Sequence, residues 1–110
     1  MNKYEMIECE NSYRIKALRD VGVDVKKGDL GGLIENETNL SQDGESWIYE
    51  RASAFGNSIV SGDAVISGGA RVYGNARVYG NVWVSGCARV FGNVHIAEGT
   101  VVEKGDYSEI

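Results

Sequence analysis

Between Glu45 and Lys104 the chain alternates small or aliphatic residues with variable ones, in a frame of six. The first slot holds Ser46, Ala52, Ser58, Ala64, Ala70, Ala76, Val82, Ala88, Val94 and Thr100. The third holds Ile48, Ala54, Val60, Ile66, Val72, Val78, Val84, Val90, Ile96 and Val102. The second and fourth slots range over Arg, Trp, His, Tyr, Ser and Glu. Side chains of a strand point to opposite faces in turn, so the first and third slots point inward and the others outward. Such a small, β-branched inner wall fits a narrow solenoid core.

Glycine keeps the same period. It recurs at 44, 56, 62, 68, 74, 80, 86 and 92, with Glu50 in the one missing slot. Asn or another turn-tolerant residue follows it, and glycine adopts positive φ without a Cβ clash. Turn chemistry and strand pattern therefore agree, which is the consistency a specified fold requires. Two or three ordinary hairpins are the competing reading, but hairpins do not hold one register over ten units.

The units GNARVY, GNARVY, GNVWVS, GCARVF and GNVHIA resemble the hexapeptide repeat of left-handed parallel β-helix proteins. The resemblance covers Glu45 to Lys104. It implies an all-β fold in which three hexads form one triangular coil, a little over three coils in all. Residues 13–50 resemble the head of phage and bacterial proteins with GNARVYGNA-type repeats. Many of those are labelled transferases on fold alone, and fold does not imply activity.

With three hexads per coil, residues 18 apart stack. One outer face then carries Trp47, Val65, Trp83 and Val101. An apolar strip with aromatic anchors suggests an oligomer interface, dimeric or trimeric. The alternative is that the N-terminal segment folds over it. A second face stacks Ser53, Arg71 and Arg89 beside Phe55, Tyr73 and Phe91. A third stacks Ile59, Arg77 and His95, with Tyr79 alongside. Arg71, Tyr73, Arg89, Phe91, Arg77 and Tyr79 are the candidates for binding a partner or ligand. Arginine stems lying over rings on a solvated surface is the plainer account of the same columns. Asn57, Asn75 and Asn93 stack at one corner, where their amides can bond from coil to coil.

Residues 1–44 are expected to form an N-terminal cap and a degenerate first coil. KYEMIE and YRIKAL read as strands joined by a turn at Glu10-Asn11-Ser12, and Gly28, Gly31 and Gly32 mark loops. Ile34, Leu40 and Ile48 fall in the inner register. A cap is needed because an open solenoid end exposes unpaired backbone. Residues 105–110 read as an acidic tail, frayed or docked on a partner chain. Glu98 stands where the last corner glycine would be, and Lys104-Gly105-Asp106 closes the pattern.

Charge adds little to this picture. The 110 residues carry a formal net charge of −5, with the acids concentrated at both ends. That disfavours direct nucleic-acid binding. The head's Arg14, Lys16, Arg19, Lys26 and Lys27 are interleaved with acids and read as a salt-linked surface. Cys9 and Cys87 share no metal-type spacing, and reduced thiols fit a cytoplasmic protein, the host's cytoplasm if a phage encodes it. Nothing resembles a signal peptide or a membrane span.

No catalytic set, cofactor motif or metal cluster stands out. Hexapeptide acyltransferases use a histidine base, and His95 is the one histidine, in an outward slot. No sequence neighbour of His95 supplies an orienting carboxylate, and the family's long protruding loop is absent. The expectation is a non-catalytic module acting by protein–protein interaction with a host protein. An inhibitor of a host defence system, such as an anti-CRISPR protein, is one form of it. A nucleotide sponge binding between subunits, an acyltransferase and an assembly module remain as alternatives.

Overall fold

The computed structural model describes residues 2–97, 99, 101–102 and 105–109. Those residues form fourteen strands and one 3-10 turn, Glu37–Asn39. The first three strands are β1 (Tyr4–Cys9), β2 (Ser12–Ala17) and β3 (Leu30–Ile34). Short rungs follow: β4 (Trp47–Ile48), β5 (Ser53–Ala54), β6 (Ile59–Val60), β7 (Val65–Ile66), β8 (Arg71–Val72), β9 (Arg77–Val78) and β10 (Trp83–Val84). The last four are β11 (Arg89–Gly92), β12 (His95–Ile96), β13 (Val101–Val102) and β14 (Asp106–Glu109).

The rungs stack in parallel into three sheets, a β-solenoid of about four coils. One sheet runs β4-β7-β10-β13, a second β6-β9-β12, and the third β1-β2-β3-β5-β8-β11-β14. Pairing follows the 18-residue step: Trp47, Val65, Trp83 and Val101 are successive partners, as are Ser53, Arg71 and Arg89, and Ile59, Arg77 and His95. The first and third slots form the core. Ala52, Ala54, Val60, Ile66, Val72, Val78, Val84 and Val90 are all buried. Ser58, a polar residue in this wall, donates its hydroxyl to the Phe55 carbonyl at 2.8 Å.

The corners show why glycine keeps step. Asn57 donates its backbone N–H to the Gly74 carbonyl of the next coil, and Asp63 to that of Gly80. Gly62 has φ +66°, and a Cβ built on it would lie 2.6 Å from the Gly80 nitrogen. Both the positive φ and the closeness of the neighbouring coil exclude a side chain there. The asparagine column forms as expected: Asn57 Nδ2 donates to Asn75 Oδ1, and Asn75 Nδ2 to Asn93 Oδ1, each at 3.2 Å.

The head extends one sheet sideways. β1 and β2 form a hairpin from Tyr4–Ala17 to Cys9–Ser12, turning at Glu10, whose φ is +56°. β2 pairs antiparallel with β3, and β3 pairs parallel with β5 through Leu33–Ser53 and Ile34–Ala54. Leu40 bridges Val60, so β3, Leu40 and β4, the last of them already in the first regular hexad, complete a first coil. With the coils that follow, this makes about four. Gly31 and Gly32 lie within β3 and not in loops. A Cβ on Gly32 would meet the Ala52 carbonyl oxygen at 2.2 Å, so glycine here permits strand to cross onto coil.

Lys3 and Tyr4 enter the open end of the first coil. Lys3 is fully buried; its Nζ donates to the Ser46 carbonyl at 2.7 Å and to Ser46 Oγ at 3.0 Å. Tyr4 donates its hydroxyl to the Leu40 carbonyl. Asn39 donates to the Gly56 and Ser58 carbonyls. At the other end Asp106–Glu109 of the acidic tail form a strand and are not frayed. β14 pairs with β11 from Arg89–Asp106 to Gly92–Glu109, one residue short of the 18-residue step. Backbone pairing of the kind the solenoid already uses holds it in place. Glu98 and Lys104 lie outside the described residues.

Candidate functional site

The sheet β4-β7-β10-β13 is where the four apolar candidates meet, but they do not form one exposed strip. Trp47 is 2 % exposed. The head's turn covers it: Val21 and Val25 bond to each other through both backbone amides, and that turn closes over the β4 end of the sheet. Arg19 clamps it with an ion pair to Glu45 at 2.8 Å and a bond to the Gly44 carbonyl. Tyr49 donates its hydroxyl to Asp24 of the same turn. Burial first, then that bond to an anion, pushes the Tyr49 phenol up to about 12. Trp47 is therefore core, and its place in an exposed interface is corrected. Self-coverage wins at this end because the turn brings its own apolar pair, Val21 and Val25.

The cover stops at Val65, which is half-buried. Beyond it Trp83 is 58 % and Val101 is 62 % exposed, adjacent in register on the same face. Val23, at the tip of the covering turn, is 95 % exposed. A groove of about 210 Å³ lies between turn and sheet, with Val23, Val65 and Trp83 among its walls. The result is a patch with one large aromatic and aliphatic neighbours, bordered by the exposed acids Asp24, Glu45 and Asp63.

On the long sheet, Phe55, Tyr73 and Phe91 form a continuous ring stack. Successive centroids are 5.1 Å apart and the planes tilt by 3° and 6°. Coil spacing and ring thickness together give the offset-stacked arrangement that aromatic pairs favour. Tyr73 and Phe91 are half-buried in it, while Arg71 and Arg89 beside them are exposed. The third sheet presents Arg77, Tyr79 and His95, all exposed. Among the described residues, Arg71, Arg77, Arg89 and His95 make no ion pair with another side chain. His95 has Arg77 as its register neighbour and not a carboxylate. That neighbour offers nothing to orient an imidazole base.

Three members of the head's basic cluster, Arg14, Arg19 and Lys26, are tied to neighbours within the head and first coil. Arg14 donates to the Gly31 carbonyl, Arg19 holds Glu45, and Lys26 lies 3.9 Å from Asp20. Among the described residues no three His, Cys, Asp or Glu side chains cluster as metal ligands would. No helix is long and apolar enough to cross a membrane. The anchoring roles of Lys3, Tyr4, Asn39 and Gln42 carry no sequence signal, since all four lie outside the six-residue frame of Glu45 to Lys104.

Comparison with known proteins agrees on the architecture. The YdcK β-solenoid repeat family matches residues 70–86. A stretch of 39 residues, 34% of this chain, is 49% identical to a protein of Escherichia coli (strain K12) named "Uncharacterized acetyltransferase YdcK". The aligned region spans 12% of that protein's length.

Proposed function

We propose that this β-solenoid is a non-catalytic binding module that works by protein–protein contact through its Trp83 face, with a second copy of the chain as first partner. The observation that carries the reading is the adjacent pair Trp83 and Val101, both more than half exposed on a parallel sheet. Large exposed aromatics ringed by polar groups are the usual anchors of protein interfaces. A tryptophan buries about 150–250 Å², so covering the exposed part of Trp83 is worth roughly 3 kcal/mol per copy at about 25 cal/mol per Å². Small residues beside it, Ser67 and Ser85, keep the surface flat enough for a symmetric contact.

Sedimentation tests this directly. The wild type should run as a dimer or trimer at about 10 μM, and Trp83→Arg should shift it to monomer. Trp47 is buried, so collisional quenching reports on Trp83 alone. A wild-type monomer whose tryptophan emission is freely quenched would sink the proposal. Its finer form is a mobile-element protein that occupies a host protein, as an inhibitor of a defence system would. The resemblance of residues 13–50 supports it, and affinity capture that recovers no stoichiometric host partner would count against it.

A second reading is acyl transfer, supported by the name of the Escherichia coli relative and by the outward position of His95. Acetyl-CoA turnover that falls at least ~100-fold in His95→Ala would establish it. No turnover in the wild type, or turnover unchanged by the substitution, would remove it.

A further inference from the structure

The ring stack on the long sheet ends abruptly, and its missing member defines a site. Leu33–Ser53 and Ile34–Ala54 are paired, so the next residue of the first coil, Glu35, occupies the position matching Phe55. Where Phe55, Tyr73 and Phe91 each supply a ring, the first coil supplies a carboxylate. That carboxylate does not continue the column. Glu35 Oε1 turns aside to accept the Gly56 backbone N–H at 2.7 Å. Phe55 has Tyr73 against one face only, and beside it opens a groove of about 300 Å³. Leu33, Ser53 and Phe55 line it, together with the polar Asn11, Ser12 and Glu35.

We propose that this groove binds a purine base of the guanine type, stacked on Phe55 as the next ring of the column. A flat heterocycle fits because the ring planes are already set parallel at 5.1 Å. Base-on-aromatic stacking is worth about 1–3 kcal/mol by alanine substitution. Polarity selects the kind of ring. A carboxylate can only accept and has about four lone-pair sites, so with one site of Oε1 taken by Gly56, both oxygens of Glu35 still accept N–H donors from the ligand. Guanine offers two adjacent donors, its ring N1–H and its amino group. Adenine sets a ring acceptor beside its amino group, which a carboxylate repels. Asn11 and Ser12, which both donate and accept, suit the carbonyl and ring nitrogens of the same base. Arg71, exposed on the same sheet one coil beyond Ser53, is the cation assigned to a sugar-linked phosphate. The site lies within one chain, on a different sheet from the Trp83 face, and is independent of oligomerisation.

Amide chemical shifts of the whole protein, titrated with guanosine, guanosine monophosphate, adenosine and N-acetyl-phenylalaninamide, test the assignment. Guanosine should saturate shifts at Asn11, Ser12, Ser53 and Gly56 below ~5 mM, and adenosine should bind at least ~10-fold more weakly. Phe55→Leu, which keeps the apolar volume and removes the stack, should weaken guanosine at least ~5-fold. Glu35→Gln, which retains the acceptor for Gly56, should lower the preference for guanosine over adenosine. Tighter binding of the monophosphate, lost in Arg71→Ala, would identify the nucleotide as the fuller ligand. No saturable shift with guanosine, equal affinity for adenosine, or a stronger response to the phenylalanine analogue would each overturn the proposal.

Discussion

Gly62→Ala should damage this protein far more than Gly22→Ala, although both glycines have nearly the same backbone. Their φ values are +66° and +60°. Holding alanine in the left-handed region costs about 1–2 kcal/mol, and the stiffer unfolded chain returns about 0.4–1 kcal/mol. At Gly22 that is the whole account, because a Cβ there meets nothing within 4 Å. At Gly62 the Cβ would sit 2.6 Å from the Gly80 nitrogen and 3.3 Å from its Cα. The coil cannot yield easily. Glu45 donates its N–H to the Gly62 carbonyl at 3.1 Å and Asp63 donates to that of Gly80 at 3.2 Å, so a shift strains bonds to coils on both sides. Overpacking of this kind adds about 1–3 kcal/mol. The expected losses are about 0.5–1 kcal/mol for Gly22→Ala and about 2–4 kcal/mol for Gly62→Ala. At roughly 3–6 °C per kcal/mol for a domain of this size, the melting temperatures should differ by about 6–12 °C. Urea unfolding followed by circular dichroism gives the free energies. Losses equal within about 0.5 kcal/mol would refute the close approach of the coils as the reason for glycine.

Lys3 predicts a rise of stability in mild alkali. Its burial, then the nearby Arg19 charge, lowers its pKa from 10.5 to about 8, against the partial opposition of Glu45, Asp43 and Asp63. Below pH 8 both folded and unfolded chains hold the proton. Between 8 and 10.5 the unfolded chain still holds it while the folded chain releases it, so stability increases with pH, by on the order of 2 kcal/mol near pH 10. Above pH 10 the trend reverses, because buried Tyr4 and half-buried Tyr49 keep phenol protons that the unfolded chain releases. Urea midpoints across this range should show the rise in wild type and lose it in Lys3→Met, and an equal rise in both would remove Lys3 as its source. In the asparagine column, Asn75→Ala breaks both amide bonds on an exposed corner and should cost about 1 kcal/mol, whereas Asn93→Ala breaks one and should cost about half that. Equal losses in thermal unfolding would mean the column carries no stability of its own.

Six-residue spacing of Gly62, Gly68 and Gly74, with Val60, Ile66 and Val72 keeping the same step, made the coils, their inward faces and the 18-residue stacking legible in the sequence. Each of these depends on local preferences repeated in register: alternation along a strand and positive φ at a corner. The Asn57–Asn75–Asn93 column follows from the same step. What the head does is a matter of long-range contact. Trp47 and Trp83 occupy equivalent slots, and nothing in either hexad says that the first is core and the second surface. Only the Val21–Val25 turn, returning over β4 and pinned by Arg19 to Glu45, separates them. The hairpin's strands were legible from alternation, but the entry of Lys3 and Tyr4 into the first coil was not. Neither was the pairing of the acidic tail with β11, since a solenoid end accepts any strand that can satisfy its free backbone groups. The sequence alone thus determined the solenoid, because its information is periodic and local. Tertiary structure decided which surface stays open, because that depends on non-repeating segments brought together across the chain.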